Sequence, residues 1–177
     1  RIFFAPTLEN YAKIISEGIL KYVWNSTVVG VLTVLLVLAV SCPTAYILSR
    51  TQFKGSQNLA FWVLSTRMIP PIVVVIPIFL TAYMLNLYDT FLIVVLMHGG
   101  LNLSFAVWML RGTFDGIPKE MDEAAMVDGC TRMSALVRII LPLALPGIIA
   151  TAIFVFIMSW NEFIVASVLT SINSVTA

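Results

Sequence analysis

The sequence predicts an all-α, polytopic transmembrane helix bundle. Three observations predict it. Apolar residues make up 60% of the 177 and charged residues only 11%, where soluble domains carry about 45–50% and about 25%. The mean hydropathy is +1.00. The apolar residues also run continuously instead of alternating, which favours spanning helices over a membrane barrel. A soluble core with this excess would expose large apolar patches; lipid covers them. The net charge of +1 and the lack of a Lys/Arg-rich run give no sign of a nucleic-acid partner.

A span needs about 20 apolar residues, because the helix rises about 1.5 Å per residue and the hydrocarbon layer is about 30 Å thick. Residues 7–17 come first, as a short amphipathic helix on the outer surface, with Thr7 as N-cap and Leu8, Tyr11, Ile14 and Ile15 on one face. The first span covers about 23–48 without a charge, and the second about 59–85, interrupted by Arg67. The third covers about 90–110 and the fourth about 139–160. Pro70, Pro71 and Pro77 kink the second span, and Pro142 and Pro146 the fourth. Residues 1–177 form one transmembrane domain, read as an internal piece of a longer polypeptide because the chain opens at Arg1 without a signal-peptide pattern.

Orientation follows from Lys and Arg in the short loops. Arg50, Lys54, Arg111, Lys119, Arg132 and Arg138 lie on one side, against Arg1, Lys13 and Lys21 on the other. Six against three makes the loops after the first and third spans cytoplasmic. Cys42 lies in an apolar run and Cys130 in a polar loop, so both are free thiols rather than a bridge or metal ligands.

The loop 111–138 is the longest polar stretch between spans, and its middle reads as a helix. Pro118 suits a first helical position. Glu120, Asp122 and Glu123 cluster where the helix dipole favours acids. Ala124 and Ala125 are strong helix formers, and Gly129 is a natural left-handed stop. Met121, Ala124, Ala125 and Val127 give it a small, apolar side. Such a helix seats in a groove on a protein partner, or lies flat on headgroups; its acids disfavour anionic lipid. A second helix begins near Ser134 and runs into the fourth span.

The loop also carries a spaced pattern: Glu123-Ala124-Ala125, then Gly129, Ile139 and Leu141-Pro142. Asn25-Ser26, Arg67-Met68-Ile69-Pro70-Pro71, Arg111-Gly112, Ile117-Pro118 and Trp160-Asn161-Glu162-Phe163 flank it. On these residues the chain resembles the permease subunits of binding-protein-dependent ABC importers, most closely the maltose-type sugar permeases. The resemblance implies a six-helix core of which the four spans are the second to fifth. It implies a multi-pass protein of a bacterial or archaeal inner membrane that imports a sugar or related solute. It makes 118–129 the coupling helix that docks on a cytoplasmic ATPase, with Pro118, Glu120, Met121, Glu123, Ala124, Ala125, Val127, Asp128 and Gly129 as contact positions. It implies a second permease subunit, an external solute-binding protein facing the stretch after Asn161, and no cofactor in this chain, with ATP and Mg used by the partner ATPase.

Within the spans, Arg67 is a costly charge. It pairs with a carbonyl freed by Pro70 or Pro71, snorkels to the inner interface, or serves the substrate pathway. Asn102 lies at mid-span, where transporter sites tend to fall. His98 and Ser104 suit interhelical hydrogen bonds, with Ser104 kept as a pathway candidate; Thr81 and Tyr83 line the outer end. The sequence lacks a phosphate-binding Gly-x4-Gly-Lys-[Ser/Thr], a His-Glu-x-x-His and a Gly-x-Ser-x-Gly pattern. It shows no channel filter or charge ring. An intramembrane enzyme or a channel therefore ranks below a transport subunit that hydrolyses no ATP itself.

Overall fold

The computed structural model describes residues 9–16, 18–51 and 54–171, and among them all regular structure is helical. Arg1, Thr7, Leu8 and residues 172–177 lie outside the described residues. Helix α1, Glu9–Ser16, leaves Tyr11, Ile14 and Ile15 exposed. Helix α2, Ile19–Arg50, has 32 residues and so runs about 48 Å, more than a bilayer's apolar depth.

The second predicted span is a broken helix. Helix α3 (Ser56–Ser65) passes into a tight turn at Thr66–Met68, and helix α4 starts at Pro71 and ends at Met84. The two arms meet at 87°. The sequence led us to expect kinks; the chain breaks instead because two successive residues each precede a proline. A following proline pushes its neighbour out of the α region, and Ile69 and Pro70 accordingly take ψ of 121° and 132°. Asn86, at φ 56°, then closes α4: Leu87 N–H bonds Ala82 C=O at 2.8 Å.

Helix α5, Phe91–Asp115, is capped by the Thr90 hydroxyl and is the most enclosed span. Val94, Ala106, Leu110 and Phe114 on it are fully buried. Helix α6 is Glu120–Val127. Helix α7, Arg132–Trp160, is one long span whose first part is irregular. Pro142 cannot bond the carbonyl four residues back, and the chain widens into a π turn at Leu136–Ile140, where Leu141 N–H reaches Leu136 C=O. Helix α8, Phe163–Leu169, follows a two-residue break.

Helices α2, α5 and α7 form the central packing unit. One cluster, near Asp89, holds Val29, Val94, Val165 and Leu169; another, near Arg50, holds Tyr46, Leu110, Phe114 and Ile140. A close approach binds α5 to α7: a Cβ on Gly147 would collide with the Thr113 side chain. Polar groups are enclosed too, with Ser159 hydroxyl and His98 Nδ1 2.8 Å apart.

Candidate functional site

The basic end of the bundle holds a clamp on α6. Asp122 is 7% exposed, and its carboxylate accepts from Tyr46 hydroxyl at 2.5 Å and from Arg50 Nε at 2.7 Å. The same guanidinium donates to the carbonyls of Phe114 at 2.9 Å and Ile117 at 3.0 Å. Arg50 thus ties together the end of α2, the end of α5 and the first turn of α6. Ser49 adds a hydroxyl bond to Asp115 at 2.6 Å, and the Tyr46 ring meets Phe114 edge-on at 6.0 Å.

Clamping Asp122 sets which face of α6 is free. Asp122 and Ala125, one turn apart, point inward. Glu120, Met121, Glu123, Ala124, Val127 and Asp128 point outward, Val127 being 88% exposed. Ala125, expected on the apolar docking side, is on the inner face instead. Pro118, expected as the first helical residue, precedes the helix; its carbonyl accepts from Met121 N–H at 3.3 Å. Gly129 does stop the helix, at φ 85°, with Cys130 N–H bonding Ala125 C=O at 2.9 Å and Gly129 N–H bonding Met126 C=O at 3.1 Å. A side chain rarely adopts that conformation.

A second feature lies within the spans. The break in the α3–α4 arm and the break between α7 and α8 border one cavity of ≈ 630 Å³. Arg67, Asn102, Ser104, Met158, Asn161 and Glu162 contribute to its lining. The level is fixed by the His98–Ser159 contact: His98 lies seven residues inside Phe91, about 10 Å from that end of α5. Trp160 therefore ends α7 short of the bundle's Asp89 end. The chain continues as α8, whose Val165, Ala166 and Leu169 are buried, and Leu169 C=O receives Asp89 N–H at 3.1 Å. The stretch after Asn161 was expected to enter an external loop; through Leu169 it is packed helix. Glu162 faces the cavity, with Oε1 accepting from Ile164 and Val165 N–H.

Arg67 sits at the elbow of the broken span. Its Nη2 lies 3.5 Å from Met158 Sδ and its Cζ 5.1 Å from the Phe105 ring centroid. Neither expected carbonyl pairing nor an ion pair is present among the described residues. Asn102 donates to His98 C=O at 2.9 Å, within its own helix. Arg67, Asn102 and Ser104 come together in the cavity; Thr81 and Tyr83 do not line it. Thr81 bonds Pro77 C=O, and Tyr83 is 67% exposed beside Phe79 and Tyr88. Sequence reasoning missed Asp122 as an anchor and Asn161 and Glu162 as lining. No group of metal-ligating side chains is found among the described residues.

Discontinuous helices around a cavity between the long apolar helices, with a separate clamped helix at the basic end, define a multi-pass α-helical membrane protein. Residues 41–176 match the family described as binding-protein-dependent transport system inner membrane component, and the chain belongs to that family. It is 39% identical over 178 residues to a probable ABC transporter permease protein, y4oR, of Sinorhizobium fredii, covering 100% of this chain and 64% of the relative. It is 35% identical to the trehalose/maltose transport system permease protein MalG of Thermococcus litoralis, covering 95% of this chain and 62% of the relative. The chain thus spans less than two thirds of the length of these two relatives. In fold it is similar to a bacterial ABC transporter involved in import of the acidic polysaccharide alginate, with TM-score 0.80, 23% identity, and coverage of 98% of this chain and 62% of that one.

Proposed function

We propose that this chain forms one wall of the translocation pathway of an ABC importer for a sugar or related solute, and that α6 couples the wall to a cytoplasmic ATPase. The observation that carries the reading is the division of α6 into a clamped inner face and a free outer face. A helix held through Asp122 by Arg50 and Tyr46 moves with α2 and α5 when it is pushed. Its outer residues, Met121, Ala124 and Val127, are left for a groove on the partner. The cavity is the solute path, with Arg67, Asn102 and Ser104 on its wall. ATP and Mg belong to the ATPase subunits, so hydrolysis happens outside this chain. A second permease subunit closes the path, and an external binding protein delivers the solute. Family membership supports this division of labour, and relatives named for trehalose/maltose and diacetylchitobiose uptake support a sugar.

The test is Val127→Asp. Val127 is 88% exposed, so the substitution leaves the bundle's packing alone while placing a charge in the docking surface. A carboxylate buried there without a partner is an uncompensated charge, a defect worth roughly 3–5 kcal/mol where a buried ion pair is broken. The complete transporter carrying V127D is expected to lose ATPase co-purification and most solute uptake. Normal uptake with the ATPase still bound would refute the proposal.

A further inference from the structure

We propose that Asp89 is a positioning residue for the cavity wall: it pins the far end of α8, and α8 holds the Glu162 carboxylate in the lining. Its part in transport rests on reading the cavity as the solute path. The break between α7 and α8 falls between two neighbours in that lining, Asn161 and Glu162. Asn161 goes with α7, because its backbone N–H and its side-chain Nδ2 both donate to Ile157 C=O, at 3.0 and 2.8 Å. Glu162 keeps only a long backbone bond to α7, from its N–H to Ser159 C=O at 3.4 Å. Its carboxylate goes with α8, where Oε1 accepts from Ile164 N–H at 3.1 Å and Val165 N–H at 3.2 Å. Where that carboxylate stands in the cavity is therefore decided by where α8 stands.

Helix α8 has seven residues, too few to fix its own place. Its inner residues Val165 and Leu169 pack in one cluster with Val29, Val75 and Val94. Apolar packing is non-directional, so directed bonds are needed to stop the helix sliding along that surface. Asp89 supplies two of them at the far end, about 10 Å from Glu162. Its N–H donates to Leu169 C=O at 3.1 Å, and its Oδ1 accepts from Ser171 N–H at 3.0 Å. The first bond takes up a carbonyl that a helix leaves open at its C-terminus. The second is charge-assisted and holds the chain after it has turned extended at Thr170. Asp89 directly precedes Thr90, whose hydroxyl caps α5, so the clasp fastens α8 to α5 although the chain connects it to α7. The residue type is specified twice over. Asp89 has φ 58°, which Asp and Asn tolerate better than other side chains, and both also offer the acceptor oxygen. Glycine offers the backbone alone.

The test uses the complete permease–ATPase complex in lipid nanodiscs and two measurements. One is amide exchange across α8. The other is the distance between spin labels at positions 66 and 163, in a chain whose Cys42 and Cys130 are replaced by serine. Thr66 is exposed in the cavity lining and Phe163, the first residue of α8, is 74% exposed, so neither label disturbs the packing. Without nucleotide the wild type is expected to give one narrow distance distribution. Asp89→Gly keeps the backbone and removes the acceptor. It is expected to quicken exchange across α8 by about tenfold or more and to broaden the distribution, while exchange in α6 and the amount of bound ATPase stay unchanged. Asp89→Asn is expected to behave as wild type, because its side-chain carbonyl still accepts from Ser171 N–H. Unchanged α8 exchange in D89G would mean that the clasp holds nothing, and would overturn the inference. Faster exchange with a distribution as narrow as that of the wild type would make Asp89 structural only, and would overturn it too, as would D89N as disruptive as D89G. If D89G broadens the distribution but ATP binding leaves the wild-type distance unchanged, the positioning role stands and the solute path falls.

Discussion

Asp122→Asn tests the clamp, because it keeps the shape of the side chain and removes its charge. In the native chain the carboxylate takes a hydroxyl bond from Tyr46 and a charged bond from Arg50, with both side chains of the ion pair 10% exposed or less. Breaking a buried pair by removing one partner costs roughly 3–5 kcal/mol when the remaining charge is stranded. Arg50 is not stranded, since Phe114 and Ile117 carbonyls keep Nη1 and Nη2 bonded. The loss is then about that of one charge-assisted bond, with a weakened Tyr46 bond beside it, roughly 2–3 kcal/mol. That loss falls on α6 itself. An eight-residue helix has no stability of its own in water, so α6 detaches locally while the spans stay folded. Amide exchange across α6 in the intact complex should therefore quicken roughly 30- to 140-fold, with the amides of α5 unchanged. Arg50→Met with Asp122→Leu should recover much of the protection, because an apolar pair of similar volume fills the site without a stranded charge. Unchanged exchange across α6 in D122N, or no recovery in the double variant beyond D122L alone, would refute the clamp.

Other consequences are more local. Gly129→Val meets a left-handed backbone at φ 85° and should cost roughly 1–2 kcal/mol, read as faster exchange in α6 and, on the proposed function, as poorer stimulation of a partner ATPase by solute. Gly147→Ala should lower the midpoint of thermal unfolding in detergent, by overpacking of roughly 1–3 kcal/mol against Thr113; adding Thr113→Ala should restore it. Ser159→Ala removes the contact with His98 and should cost only about 0.6 kcal/mol, the average for polar bonds between membrane helices, so unfolding midpoints should scarcely move.

The central spans were readable because hydropathy is a local property: each residue of α2 and α5 contributes its own share. The end of α6 was readable for the same reason, since Gly129 acts on its own backbone. What sequence reasoning missed depends on distant or competing partners. Asp122 looked like one of three first-turn acids, and its partner Arg50 lies 72 residues earlier. Only the fold distinguishes it from Glu120 and Glu123, which stay exposed. The drop in hydropathy at Asn161-Glu162 looked like an exit from the membrane. It is a break between α7 and α8, because Val165 and Leu169 still have α4 and α5 to pack against. The elbow at Pro70 was within reach: two consecutive residues before proline disfavour the α region twice over, which a single kink does not satisfy.

The same distribution of order bears on how the proposed importer would transmit force. The clamp and the cavity share one element, α5, whose Phe114 carbonyl is bonded by Arg50 and whose Asn102 and Ser104 line the cavity. Twelve residues separate Asn102 from Phe114, about 18 Å of helix, unbroken and enclosed by α2 and α7. A rigid rod of that kind carries a displacement with little loss. The opposite wall is made of elements that stop and restart: the elbow at residues 69–70 and the break at 161–162. These are the places where a few backbone angles can absorb a large change. On the proposed function, the stiff path delivers the movement of α6 to the cavity and the two breaks yield to it, so that Arg67 and Glu162, each at a break, change their spacing as the path opens. Spin labels at positions 67 and 162 should report a distance change on ATP binding, while labels at 102 and 114 should not; the reverse pattern would place the hinge in α5 and end this account of coupling.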